Sequence, residues 1–128
     1  MNYQRIEPGE EFQDKQGIDC RVYSVTDKIL AEEDKISEFV EEFRGCLSTH
    51  PQTRVVLDFQ GVDFLSSMAL GNMITSTERC KSLGRPVPSF IGLKPNVYEV
   101  FEITRLDRVL DATTESLTEY RQRPGASA

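Results

Sequence analysis

Arg54-Val55-Val56-Leu57-Asp58-Phe59-Gln60-Gly61-Val62-Asp63-Phe64-Leu65-Ser66-Ser67-Met68-Ala69-Leu70-Gly71 is the stretch that decides the fold. Its first six residues are short, almost continuously apolar and rich in β-branched side chains. That pattern suits a strand covered on both faces at the middle of a sheet. A turn follows at Gly61, and from Ser67 to Leu83 the period changes. Leu70, Met73, Ile74, Thr77, Cys80 and Leu83 now recur along one helical stripe. Gly84-Arg85-Pro86 stops the helix. A buried strand therefore passes through a loop to two serines that open an amphipathic helix.

The flanking segments continue the alternation. Upstream, Ile18 to Val25 places Ile18, Cys20 and Val22 on one face and Asp19, Arg21 and Tyr23 on the other, as a half-buried strand requires. Glu32 to Leu47 reads as a helix on Ile36, Phe39, Val40, Phe43 and Leu47, with Glu38, Glu41 and Glu42 expected on its wet side. Downstream, Val87 to Leu93 reads as a strand ending at Gly92. Pro95 then opens a helix carrying Val97, Val100, Phe101 and Thr104. Val109-Leu110 is expected as a brief last strand and Glu115 to Tyr120 as a final helical segment.

This order predicts an α/β fold: one domain with a central, mostly parallel (mixed) sheet of four to five strands and about four helices. The first strand is open to antiparallel pairing at an edge. Residues 1–16 are expected as an N-terminal arm or edge strand, 17–120 as the domain, and 121–128 as a flexible tail.

At 128 residues the chain fits one domain that buries roughly two-thirds of its unfolded surface. A net charge of −6 with scattered basic residues speaks against a nucleic-acid partner. The absence of an export-type apolar segment and of any 18-residue apolar run predicts a cytoplasmic protein without a membrane span. Cys20, Cys46 and Cys80 are too few and too far apart for a disulfide framework or a zinc pair, and read as reduced packing residues. His50, the one histidine, lies in a polar loop without companion ligands, so no metal and no cofactor are expected. No phosphate-cradling glycine loop, nucleophile with a histidine base, or active-site carboxylate pair appears, and Asp58 and Asp63 have ordinary roles at a strand end and a turn. The chain reads as a non-enzyme.

The two serines carry the functional interest. Free N–H groups and the positive end of the helix dipole lie there, so a phosphate on Ser67 would be tolerated locally while adding about −1.5 to −2 charge. Either Ser66 or Ser67 could instead serve only as the helix N-cap. Met68 reads first as packing, with an adaptable contact as the alternative.

The same segment resembles the signature of STAS domains of bacterial anti-sigma factor antagonists. There, a strand ending in Asp and a hydrophobic residue leads through Gly-Val-x-Phe to Asp-Ser-Ser-Gly-Leu-Gly. Asp58-Phe59, Gly61-Val62, Phe64-Leu65, Ser67, Leu70 and Gly71 match it. Lys28-Ile29-Leu30, Gly92-Leu93-Lys94-Pro95 and Val100-Phe101 through Leu106-Asp107 extend the likeness over residues 18 to 120 or so. It departs where Ser66 replaces the acid, Met68 the second serine and Ala69 the following glycine. The resemblance implies a partner-switching regulator that binds an anti-sigma factor/serine protein kinase, with Ser67 as phosphorylation site. It implies partner contacts at Asp63, Ser66, Ser67, Met68, Ala69 and Asn72, and a monomer or weak homodimer. The alternative it leaves is a non-phosphorylated interaction or scaffold module, with ligand sensing as a further variant.

Overall fold

The computed structural model describes residues 4–123. In chain order its elements begin with β1 (Ile6–Gln13), β2 (Asp19–Val25), β3 (Ile29–Leu30), α1 (Glu33–Thr49), β4 (Arg54–Asp58) and β5 (Phe64–Leu65). They continue with α2 (Ser67–Ser82), β6 (Ser89–Ile91), α3 (Pro95–Ile103), a 3-10 turn at Leu106–Arg108, β7 (Asp111–Ala112) and α4 (Leu117–Arg121). The main sheet runs β1-β2-β4-β6-β7. β1 is antiparallel to β2 and every other neighbour is parallel. The α/β domain with a mixed five-stranded sheet and four helices is the one expected.

β4 is central because both of its faces are covered. Val55 and Leu57 enter the larger core with Tyr23, Val25, Phe59 and Phe90, while Val56 points to a smaller cluster with Cys20, Val22, Ile91 and Tyr120. Helices α1, α2 and α3 close the first side, and α4 closes the second. The half-buried reading of β2 is corrected accordingly: Tyr23 and Val25 lie under α1 to α3, whereas Cys20 and Val22 lie under Tyr120. Rings of Phe43 and Phe59 each meet Phe90 edge-on, with centroids 6.1 Å apart. Fully buried phenylalanines of this kind stabilise by about 1.5–3 kcal/mol each through removal from water.

Polar contacts hold the edges. β1 begins with Ile6 buried, and the Glu42 carboxylate of α1 accepts the backbone N–H groups of Arg5 and Ile6 at 3.0 Å. Glu42 is therefore not a solvated residue of a wet helix face, as its position beside Glu38 and Glu41 suggested. It clamps the edge strand. Pro8, which lacks an N–H, sits on this edge where the register shifts before Glu11.

Helix α1 ends at His50, just before Pro51, where the helical conformation is disfavoured. Helix α2 ends in a Schellman pattern, Arg85 N–H to Cys80 O at 2.9 Å and Gly84 N–H to Lys81 O at 3.1 Å, with Gly84 at φ +67°. The last strand is Asp111–Ala112, two residues beyond the expected Val109-Leu110, because Leu110 is drawn into the core at the end of the 3-10 turn.

Arg121 closes α4, and Arg123 pairs with Asp111 and Glu115 at 3.2 and 2.9 Å. The loose tail expected from residue 121 is corrected for these positions, and 124–128 lie outside the described residues.

Candidate functional site

A two-residue parallel ladder too short to leave a periodic signal prepares the start of α2. Ile29 pairs with Phe64 and Leu30 with Leu65, and Ser66 N–H donates to Leu30 O at 3.0 Å. Asp63 N–H donates to Lys28 O at 2.7 Å. Leu30 and Leu65 are buried beneath the ladder, which turns Ile29 and Phe64 outward, 57% and 51% exposed. The loop between β4 and α2 is thereby a fixed platform.

The two serines divide the available roles. Ser66, extended at φ −77° and ψ 165°, is the N-cap, and its Oγ accepts the Ala69 N–H at 3.3 Å. Ser67 is the first helical residue and is exposed, and its hydroxyl has no hydrogen bond among the described residues. Met68 is also exposed at 48%, an unusual setting for a large apolar side chain. Asn72, half-buried one turn on, donates from Nδ2 to Met68 O at 2.9 Å.

Ala69 behaves differently from its neighbours. It is fully buried among the core residues, so the expectation of a partner contact from its side chain is corrected. A helix presents successive residues about 100° apart, which sends Ala69 inward while Ser67 and Met68 face out.

Asp63 is exposed and forms an ion pair with Lys94, the N-cap residue of α3, while Asn96 Nδ2 donates to Asp63 O at 3.3 Å. The Lys94 ammonium holds the Asp63 carboxyl below the usual carboxylate range. Asp58 differs: burial pushes its carboxyl up, although Gln60 N–H donates to it at 3.0 Å. Gly92 is needed beside it. Its φ is +66°, and an added Cβ would fall 2.4 Å from Asp58 Oδ1.

The sequence reading missed an apolar surface beside the serines. Phe64, Leu65, Leu70, Val97, Val100 and Phe101 line a cleft of about 50 Å³ between β5, α2 and α3. Val100, placed in the buried stripe of α3 from spacing alone, is 41% exposed. No sequence signal marks it, because the pairing of Ile29 with Phe64 joins distant segments. Burial raises all three cysteine thiols, Cys20 to about 11, which suppresses thiolate at neutral pH. Among the described residues no group of His, Cys, Asp or Glu could hold a metal ion, and no helix is long and apolar enough to cross a membrane.

Residues 30–112, from β3 to β7, match the family model described as Mlab, STAS domain. The chain belongs to the STAS-domain family. Solved structures share the fold of this STAS domain at low sequence identity. An anti-sigma-factor antagonist (STAS) domain protein from Planctomyces limnophilus is 18% identical, with 86% of this chain and 92% of that chain covered and a TM-score of 0.65. The anti-sigma factor antagonist SpoIIAA in its unphosphorylated form is 11% identical, with 90% and 91% covered and a TM-score of 0.65. The Bacillus cell fate determinant SpoIIAA in its phosphorylated form is 13% identical, with 92% and 99% covered and a TM-score of 0.60. At such identities the likeness is one of fold.

Proposed function

We propose that this STAS domain is a protein-binding regulator of the anti-sigma factor antagonist type, not a catalyst, and that its docking surface is the start of α2. Phosphorylation of Ser67 is its switch, and an anti-sigma factor that is also a serine kinase is its partner. The observation that carries this reading is the division between the serines: Ser66 supplies the cap, and Ser67 stands exposed with its hydroxyl uncommitted. Modification therefore need not break the helix. A phosphate there meets the N-terminal N–H groups and dipole of α2, and it reverses the surface from apolar and neutral to strongly anionic. Phe64 and Met68 beside it supply the apolar contacts such a charge would disrupt. Phosphorylation of a structural neighbour, the Bacillus SpoIIAA, supports the same mode in this chain.

Ser66 in place of an acid leaves room for a second reading, a module that binds through Phe64, Ser67 and Met68 without being phosphorylated. Incubation of the full chain with ATP and extract from its own cells, followed by mass spectrometry, separates the two. Phosphate at Ser67 that disappears in Ser67→Ala supports the switch. An unmodified Ser67 in chains that have captured a kinase supports the second reading and overturns the first.

A further inference from the structure

At the opposite end of α2 lies a different kind of surface. Between the C-terminal halves of α1 and α2 is a cavity of about 270 Å³, lined by Arg44, Arg79 and Arg85 together with Leu47, Cys80 and Leu83. Twelve residues of helix separate Arg79 from Ser67, roughly 18 Å along the axis. The cavity is therefore separate from the α2 start, and the inference drawn from it does not depend on the function proposed there.

The charge arrangement is unusual for a chain with a net charge of −6. No carboxylate lines the cavity, and none of the three guanidiniums has an acidic partner among the described residues. Of the nearby acids, Glu78 pairs with Lys81 at 3.8 Å, and Glu41 lies outside the cavity in an adjoining groove that Arg44 also borders. An arginine in the last turn of a helix also complements the dipole, which accounts for Arg79 alone. Two helix C-termini supply about −0.5 charge each against three full positive charges, so about +2 remains. The Schellman turn at Gly84 holds Arg85 beside the end of α2. A further polar group opens onto the space. Ser76 is 5% exposed and lines the cavity, and its hydroxyl has no hydrogen bond among the described residues.

We propose that this cavity binds a small organic phosphate monoester. Guanidinium forks match phosphate oxygens in pairs, and three of them suit a dianion better than a single carboxylate. The cavity has the volume of about nine waters, more than a bare oxyanion fills, and its Leu47, Cys80 and Leu83 wall takes a short apolar body. The phosphate lies among the arginines with Ser76 as an added donor.

Titration of the ¹⁵N-labelled full chain with phenyl phosphate, followed by NMR, tests this directly. Saturable shifts should appear at Leu47, Ser48, Arg79, Cys80 and Arg85, weaker with inorganic phosphate and absent with phenol. Arg79→Gln and Arg44→Gln, on different helices, should each raise Kd about tenfold or more without lowering Tm appreciably, while Arg108→Gln leaves Kd unchanged. The assignment is overturned by equal Kd in both cavity variants, by shifts centred elsewhere, or by inorganic phosphate binding as tightly as phenyl phosphate. Association with phosphatidylcholine vesicles containing phosphatidate, without a response to the soluble ester, also overturns it and points to a lipid headgroup.

Discussion

Ser66 and Ser67 are chemically identical and adjacent, yet one hydroxyl is committed to the helix and the other is not. Replacing Ser66 with alanine removes the acceptor for Ala69 N–H and should cost about 1 kcal/mol in urea unfolding. Ser67→Ala should stay within about 0.5 kcal/mol of the wild type, as surface substitutions do. A reversed order would assign the cap to the wrong residue. Gly92→Ala should destabilise by about 1–2 kcal/mol or more, since the left-handed backbone alone carries that cost and Asp58 Oδ1 obstructs the new methyl group. At Asp63, Lys94→Ala should move the carboxyl midpoint, read by NMR, back up toward the ordinary 3.8. The folded value lies below the unfolded one, so the contact favours folding above the ordinary carboxylate range. That benefit disappears as pH falls through the folded value.

Among the elements, α4 depends most on others. Five residues do not form a stable helix in water, so its order comes from the Ser116–Glu119 capping box and from Tyr120 packing on the sheet. The Tyr120 hydroxyl lies 2.6 Å from Ser89 Oγ, which donates in turn to Asp111 at 2.5 Å, and Arg123 covers the ring at 4.5 Å. Tyr120→Ala should therefore cost about 3–5 kcal/mol and abolish amide protection across α4, whereas Tyr120→Phe should cost about 1 kcal/mol. Hydrogen exchange with urea unfolding distinguishes these outcomes. How legible an element was in the sequence followed its length. Helices α1 and α2 carried enough turns for Phe39, Phe43, Met73 and Cys80 to mark their buried faces. The β3–β5 ladder has two residues per strand, which no period can reveal. Glu42 and Tyr23 were misplaced for a related reason: periodicity tells which residues share a face, but not whether a strand or a helix from elsewhere covers it. The serines were legible as a helix start, while the choice of cap and the outward turn of Phe64 and Val100 depended on contacts between distant segments.

For the whole molecule, the buried cores lie apart from the surface proposed to bind a partner. The two cores lie on either side of the sheet, and the α2 start adds little to them apart from Ala69 and Leu70. A negative charge at the first helical position also complements the dipole by about 0.3–1 kcal/mol. Ser67→Asp should accordingly keep Tm equal to or slightly above the wild type, as calorimetry would record, while changing what the surface binds. The most direct test of that claim is the affinity of wild type, Ser67→Ala and Ser67→Asp for the protein that the wild type captures from its own cell extract. The account predicts similar Kd values for wild type and Ser67→Ala, and a Kd at least about tenfold weaker for Ser67→Asp. Equal affinity of all three for that partner would contradict it.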